Sequence, residues 1–130
     1  MALSSSFDPA TGIITVRVTG TMTVAEVERF IADLPAVPSL GARADTIWDL
    51  DAYDFSSATK SLFEHFIERR QSIPERALAR LALVASSDLG FGMCRMYQLM
   101  SEAHGNVPEG QINVFRDTKE ATAWLAKPET

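Results

Sequence analysis

Apolar and polar side chains alternate along the start of the chain. In residues 13–20 every second position is apolar, which is the period of a strand with one buried face. Its apolar positions are Ile14, Val16 and Val18. Residues 3–7 predict an edge strand, and the segment Asp8–Gly12 holds the proline and glycine that turns favour. The pattern therefore predicts an antiparallel hairpin.

Four later segments carry apolar residues at helical spacing. The first follows Thr23 and Glu26, which have the spacing of a capping box. The second is predicted from about Ser57 to Gln71, the third follows a loop at residues 86–90, and the fourth opens between Asp117 and Glu120. Proline or glycine is expected to end these helices, at Pro35, Pro74, Gly105 and Pro128.

Three short apolar runs between these helices predict strands at residues 46–50, 81–85 and 112–115. The run at 81–85 has no polar position, as expected of a central strand that is covered on both faces. The element order is then ββαβαβαβα. Right-handed crossovers between successive strands make the sheet mostly parallel, with an antiparallel strand near one edge. We predict one α/β domain over residues 1–130, with a five-stranded mixed sheet and four helices.

The composition narrows the class of protein. The chain has 130 residues, 46% of them hydrophobic and 22% charged, which is typical of a globular domain. A net charge of −5 disfavours nucleic acid as a partner. A single cysteine, Cys94, excludes an internal disulfide and a multi-cysteine metal site. Neither a signal peptide nor an apolar run of about 20 residues is present, so we expect a cytoplasmic protein without a membrane span.

The segment from Asp51 to Ser57 is the best candidate for a working surface. A strand leads through an acidic loop into a predicted helix that opens on Ser56 and Ser57. Helix-start N–H groups favour an anion, so these serines are a candidate phosphorylation or anion-binding site. The alternative is that they only cap the helix. Asp49, Asp51 and Asp54 could hold a hard cation, but solvated loop acids are commoner, and we expect no metal.

A second loop, at residues 86–92, follows the next parallel strand. Ligands collect at the carboxyl ends of parallel strands, so this loop and the 51–57 loop are predicted to form one face. It has no lysine and does not match a phosphate-binding loop. The predicted binding-surface residues are Asp51, Tyr53, Asp54, Phe55, Ser87, Asp88 and Phe91.

A stripe of methionine and aromatic side chains marks the second and third helices. Its members are Phe63, Phe66, Met93, Met96, Tyr97 and Met100. Such a stripe is usually core, and the alternatives are an apolar pocket or a dimer surface. Cys94 lies in this helix with no glycine-rich oxyanion loop before it, and no spacing in the chain brings His65 or His104 to the thiol as a base. We therefore predict a packed thiol and no catalytic residues.

Several strings of the chain, in order, resemble the STAS-like family of small α/β domains, whose best-known member is the bacterial sporulation anti-anti-sigma factor. The strings are Ile13–Gly20, Met22–Glu26, Ile47–Leu50, Val114–Asp117 and Ala121–Leu125. The closer resemblance is to the SpoIIAA-like branch of mostly uncharacterised bacterial proteins, and it covers nearly the whole chain.

The resemblance implies a regulatory function. In the regulatory members an Asp-Ser-Ser-Gly motif before the second helix is phosphorylated by a kinase, and the phosphate abolishes partner binding. The matching stretch here is Asp54–Ala58, in which Phe55 precedes the serines and Ala58 replaces the glycine. The SpoIIAA-like branch also resembles Sec14-type lipid-binding domains in layout, which implies an apolar ligand.

Together these observations predict a non-enzymatic regulatory or partner-binding module that needs no cofactor. The alternative function is a carrier or sensor of a small apolar ligand or lipid, held between helices and sheet. The expected partner is a protein or such a ligand, not nucleic acid, and homodimerisation is plausible because many small α/β domains pair.

Overall fold

Strands and helices alternate along the chain as the hydrophobic pattern predicts. The computed structural model describes residues 3–33, 45–71, 79–104 and 107–126, without the side chains of residues 31, 33, 70, 71 and 104. The strands are β1 (Leu3–Asp8), β2 (Ile13–Gly20), β3 (Thr46–Tyr53), β4 (Leu81–Val84) and β5 (Ile112–Phe115). The helices are α1 (Val24–Asp33), α2 (Lys60–Gln71), α3 (Asp88–His104) and α4 (Thr118–Leu125), with a short 3₁₀ turn at Phe55–Ser57. The predicted helix ends at Pro35, Pro74, Gly105 and Pro128 lie outside the described residues.

The strands form one mixed sheet in the spatial order β1-β2-β3-β4-β5. Strand β1 runs antiparallel to β2, and every other neighbouring pair is parallel. The predicted hairpin, the parallel sheet and its antiparallel edge are all confirmed. In the turn between β1 and β2, the Gly12 N–H donates to the Asp8 carbonyl at 2.7 Å, and Gly12 has φ +72°, a conformation that glycine adopts without strain.

Two helix starts follow the sequence pattern residue by residue. The Glu26 N–H donates to Thr23 Oγ1 at 3.2 Å, and the Thr23 N–H donates back to Glu26 Oε1 at 3.2 Å, so the predicted capping box of α1 is confirmed. At α4, Asp117 is the N-cap and its carboxylate accepts the Glu120 N–H at 2.8 Å.

The two faces of the sheet are buried by different helices. Side chains of α1, α2 and α3 pack on one face, and α4 packs on the other through Ala121 and Leu125. Strand β4 contributes to both, since Leu81 and Leu83 lie in the larger cluster while the residues between and after them lie in the smaller. This double burial explains why the 81–85 run carries no polar residue.

The boundaries near the carboxyl ends of the strands differ from prediction. Strand β3 continues to Tyr53 instead of ending at Leu50, and α2 begins at Lys60 instead of near Ser57. Helix α3 begins at Asp88, inside the predicted 86–90 loop. The pairing of β2 with β3 also shifts register, because Arg17 pairs with Asp49 but Thr19 pairs with Ala52. This irregularity inserts one residue into β3.

The inserted residue changes which side chains of β3 share a face. Leu50 and Tyr53 are three positions apart, so regular alternation would send them to opposite faces. Both instead lie in the larger core cluster. The irregularity therefore turns the end of β3 so that Tyr53 points inward just before the chain leaves the sheet.

Candidate binding face at the carboxyl end of the sheet

The chain turns sharply where β3 ends. The Asp54 N–H donates to the Gly20 carbonyl at 2.8 Å, which anchors the turn to the end of β2. One carboxylate oxygen of Asp54 then accepts the Ser56 N–H at 3.0 Å and the Ser56 hydroxyl at 2.5 Å. The Asp54 carbonyl accepts the Ser57 hydroxyl at 2.6 Å and the Ser57 N–H at 3.1 Å. Asp54 thus organises the whole turn through its side chain and its backbone.

This geometry corrects the predicted helix start at Ser56 and Ser57. The serines form a 3₁₀ turn that precedes α2, and the cap of α2 is Thr59, whose Oγ1 accepts the Leu62 N–H at 3.1 Å. The backbone N–H groups of Ser56 and Ser57 already donate to Asp54. They are consequently not the open helix-start donors that an anion needs.

The loop after β4 is tied to this turn from the other side. Asp51 Oδ1 accepts the Ser86 N–H at 2.7 Å, a bond between the ends of neighbouring parallel strands. Ser87 caps α3, because its Oγ accepts the Gly90 N–H at 3.0 Å and its carbonyl accepts the Phe91 N–H at 2.8 Å. Asp51 therefore holds the residue that directly precedes the cap of α3.

The two turns touch through Phe55 and Gly90. The Phe55 ring packs edge-on against Tyr53, with ring centroids 4.9 Å apart. A Cβ atom added at Gly90 would lie 2.7 Å from the Cε2 atom of Phe55 and 2.9 Å from Ala85 Cβ. Glycine is required here because the aromatic ring occupies the space of a side chain, and this contact joins the two turns into one surface.

Arg116, which the sequence reasoning did not select, completes that surface. Its Nη1 donates to the Ser86 carbonyl at 3.0 Å and to Asp88 Oδ1 at 2.9 Å. The guanidinium also lies over the ring of Phe91, 4.3 Å from its centroid. The signal that could have found it is its position directly after β5, since the parallel topology brings that strand end to the same edge of the sheet.

We call this surface the sheet-end face, which comprises residues 54–57, 86–88, 91 and 116. Of the predicted binding-surface residues, the exposed ones are Asp51, Asp54, Ser87 and Asp88, and the half-buried ones are Phe55 and Phe91. The prediction that Tyr53 belongs to the binding surface is wrong, because its side chain is buried beneath the turn and is only 8% exposed. The ion pair of Arg116 with the fully solvated Asp88 orients side chains but contributes little to stability.

The acidic residues near this face already have partners within the chain. Asp49 is buried, accepts the Arg17 Nε–H at 3.3 Å and accepts the Asp51 N–H at 3.2 Å. Asp51 and Asp54 accept the backbone N–H groups described above. Within the part of the chain that the structure describes, no three histidine, cysteine or acidic side chains come close enough to hold a metal ion.

The methionine and aromatic stripe divides between core and surface. Phe63 and Tyr97 are buried and meet edge to face, with centroids 5.7 Å apart, while Phe66 contacts both Tyr97 and Trp48. Met93 and Met100 are half-buried against the same cluster. The prediction that Met96 lines an apolar pocket is wrong, because Met96 is 42% exposed to solvent and lies outside that cluster.

The predicted packed thiol is confirmed. Cys94 is 3% exposed within the larger core cluster, and this burial raises the pKa of its thiol to about 12. The Nε2 atom of His65 lies 2.7 Å from a Glu28 carboxylate oxygen that also pairs with Arg69. This cluster links α1 to α2. The side chain of His104 lies outside the described residues.

The fold and the sheet-end face define a small α/β domain in which a mixed sheet carries three helices on one face and one on the other. The sequence model of the SpoIIAA-like family matches residues 13–126, and the chain belongs to that family. A solved structure from Shewanella loihica PV-4, an uncharacterized protein of the DUF3478 family with a SpoIIAA-like fold, superimposes with a TM-score of 0.65. It is 14% identical in sequence, over 96% of this chain and 93% of that chain, and shows the shared fold.

No curated protein sequence matches the chain significantly. None of the helices in the described residues is long and apolar enough to cross a membrane.

Proposed function

We propose that this chain is a non-enzymatic module that binds a protein partner through the sheet-end face. The observation that carries the proposal is the contact of Phe55 with Gly90, which fixes two loops from successive parallel strands as one surface. Phe55, Phe91 and Arg116 are of the residue types that are enriched at protein interfaces, and the exposed serine and aspartate side chains suit a polar rim. Membership of the SpoIIAA-like family is consistent with this function.

The turn at Asp54 suggests how such binding is regulated. Ser56 is exposed, and its hydroxyl proton is donated to the Asp54 carboxylate. Phosphorylation would remove that donor and add about −1.5 to −2 charges beside the same carboxylate. The repulsion would open the turn and release Phe55 from Gly90. Ser57 is less suited to this switch because its hydroxyl donates to a backbone carbonyl and its side chain is half-buried.

The binding proposal is tested by site-specific photocrosslinking followed by affinity measurement. A photoreactive amino acid replaces Ser56 in one protein and the exposed Lys119 of α4 in another. We expect a partner from the native cells to crosslink at position 56 but not at position 119. Equal labelling at both positions would count against a face at the end of the sheet.

The switch is then tested on the purified partner with Ser56→Asp, Ser57→Asp and the control Ser5→Asp. Ser5 is an exposed serine of β1 and supplies the same change in charge. We expect roughly tenfold weaker binding for Ser56→Asp and an unchanged affinity for the control, since a repelled turn no longer presents Phe55. Unchanged affinity for both Ser56→Asp and Ser57→Asp would reject the switch.

A small apolar ligand is the second candidate function. Half-buried Met93 and Met100 border the larger core cluster, and methionine adapts to varied apolar surfaces. The rings of Phe66 and Tyr97 are in contact, with centroids 6.3 Å apart, so they would have to separate to admit a ligand. Native mass spectrometry of freshly purified protein tests this function. A mass equal to that of the chain alone, with no shift on incubation with fatty acid, would remove it.

A further inference from the structure

The side of α3 that faces away from the sheet is apolar along its whole length. Its exposed residues recur at spacings of three and four, which places them on one line along the helix. They are Leu89, Gly92, Met96, Leu99 and Ala103, which we call the α3 stripe. The large apolar side chains that are exposed among the described residues are Val24 and three members of this stripe. Such a concentration indicates a surface that another apolar surface covers.

The two flanks of the α3 stripe differ in chemistry. One flank carries Asp88, Arg95 and Glu102 at intervals of seven residues, so its charges alternate in sign along the helix. The other flank carries the half-buried Met93 and Met100. On the charged flank, Arg95 Nη1 donates to Gln98 Oε1 at 2.7 Å, and Gln98 Nε2 donates to Glu102 Oε2 at 3.3 Å. Gln98 is itself buried and holds both charged groups along this side of the helix.

We propose that the α3 stripe binds a second copy of this chain, with the two α3 helices antiparallel. A two-fold axis between antiparallel helices brings like flanks together, so the charged flank meets its own copy. Arg95 can then face Glu102 of the second copy, and symmetry makes this pair twice. In the same register, Met96 lies against Leu99 and Gly92 lies against Ala103 of the other copy.

The charge pattern favours a second copy of this chain as the partner and an antiparallel arrangement of the two α3 helices. Parallel helices would place the charged flank against the methionine flank, which would leave Arg95 and Glu102 opposite apolar side chains. An anionic membrane is a poorer occupant because the chain has a net charge of −5. The stripe is about 21 Å long, at about 1.5 Å per residue. A single helix pair of this length buries less than the roughly 800 Å² per partner of a standard interface, so we expect a weak dimer.

The oligomeric state as a function of concentration tests the proposal. Sedimentation equilibrium from about 1 to 500 μM should detect a reversible dimer of the unmodified chain, a range suited to weak association. Leu99→Lys should weaken it about a hundredfold or more, because the leucine is buried twice in the dimer. The control Ala123→Lys places the same charge on exposed α4 and should leave the dimer intact. Circular dichroism shows that each variant is folded.

Charge reversal tests the direction of the helices. Arg95→Glu and Glu102→Arg should each weaken the dimer about tenfold, and the double variant should restore it, because opposite charges again meet across the interface. A chain that is monomeric at every concentration, whether or not it binds phosphatidylcholine vesicles, overturns the proposal. So does a dimer that Leu99→Lys leaves unchanged. A double variant that is weaker than either single variant overturns the antiparallel arrangement. None of the substituted residues belongs to the sheet-end face, although Asp88 lies at the border of both surfaces.

Discussion

Two glycines in α3 give a sharp test of how the sheet-end face is held. Gly90 and Gly92 lie in the same turn of the helix, and alanine favours a helix over glycine by about 1 kcal/mol at both. Their surroundings differ. A Cβ at Gly90 would come within 2.7 Å of Phe55 Cε2 and 2.9 Å of both Ala85 Cβ and Ser87 Oγ, whereas a Cβ at Gly92 meets nothing within 4 Å.

The expected change in the free energy of unfolding depends on which atoms around Gly90 can move to make room for a Cβ. The Phe55 ring can shift at its edge, but Ala85 is fully buried. Ser87 Oγ would lose its bond from the Gly90 N–H, a cap that contributes about 1 kcal/mol. Overpacking costs about 1–3 kcal/mol, which exceeds the gain in helix propensity. We therefore expect Gly90→Ala to destabilise the fold by about 1–3 kcal/mol and Gly92→Ala to stabilise it by up to about 1 kcal/mol.

Urea unfolding followed by circular dichroism measures both variants at low protein concentration. With a slope of about 2 kcal/mol per molar urea, the midpoints should move in opposite directions, by about 0.5–1.5 M downward for Gly90→Ala. Phe55→Leu in the Gly90→Ala background should recover part of the loss. If both glycine variants stabilise the chain equally, Phe55 does not occupy the space at Gly90, and the two turns are not joined as described.

The remaining predictions concern a half-buried ion pair and a buried thiol. Arg80→Met should cost about 2–4 kcal/mol in urea unfolding, because Arg80 pairs with Asp45 at 3.1 Å and donates to the Leu125 carbonyl at 2.7 Å. Arg17 is exposed, so Arg17→Met should cost less than about 1 kcal/mol. Equal losses for the two variants would contradict the conclusion that the contacts of Arg80 contribute more to stability than those of Arg17. The Cys94 thiol, with its pKa raised to about 12 by burial, should resist iodoacetamide at pH 8. The pKa of this thiol is higher in the folded chain than in the unfolded chain, so its protonated form stabilises the fold. This contribution is complete below pH 9.0 and is lost as the pH rises toward 12. Urea unfolding at a series of pH values measures the loss.

The elements of this fold were predictable because their signals are local. Alternation in residues 13–20, the unbroken apolar run at 81–85 and the capping residues around Glu26 and Glu120 each report on the nearest few positions. Strand direction followed as well, since short connections and right-handed crossovers leave few topologies. The observed strand directions agree with this reasoning, since β1 is antiparallel to β2 and the other neighbouring pairs are parallel.

The candidate site was less predictable, and the reason is visible at its boundaries. Between Asp54 and Thr59 the sequence offers an aspartate, two serines and a threonine, each able to cap a helix. Thr59 is the cap of α2 in a structure where two contacts between residues far apart in sequence hold the preceding turn. The Asp54 N–H donates to the Gly20 carbonyl, and the Phe55 ring packs on Gly90. Similarly, Tyr53 is buried only because β3 shifts register against β2. No local pattern in the sequence predicts these contacts between distant residues.

The sequence by itself determined the class of fold, the order of strands and helices, and the edge of the sheet at which the two loops emerge. Hydrophobic periodicity and chain connectivity are sufficient for that, because they act over a few residues or through general topological rules. Only the tertiary structure decided that Arg116 reaches the loop after β4, that Met96 and Leu99 face solvent, and that the Ser56 hydroxyl donates to Asp54. These are properties of side chains brought together from distant positions, and their energies depend on packing that exists only once the chain is folded.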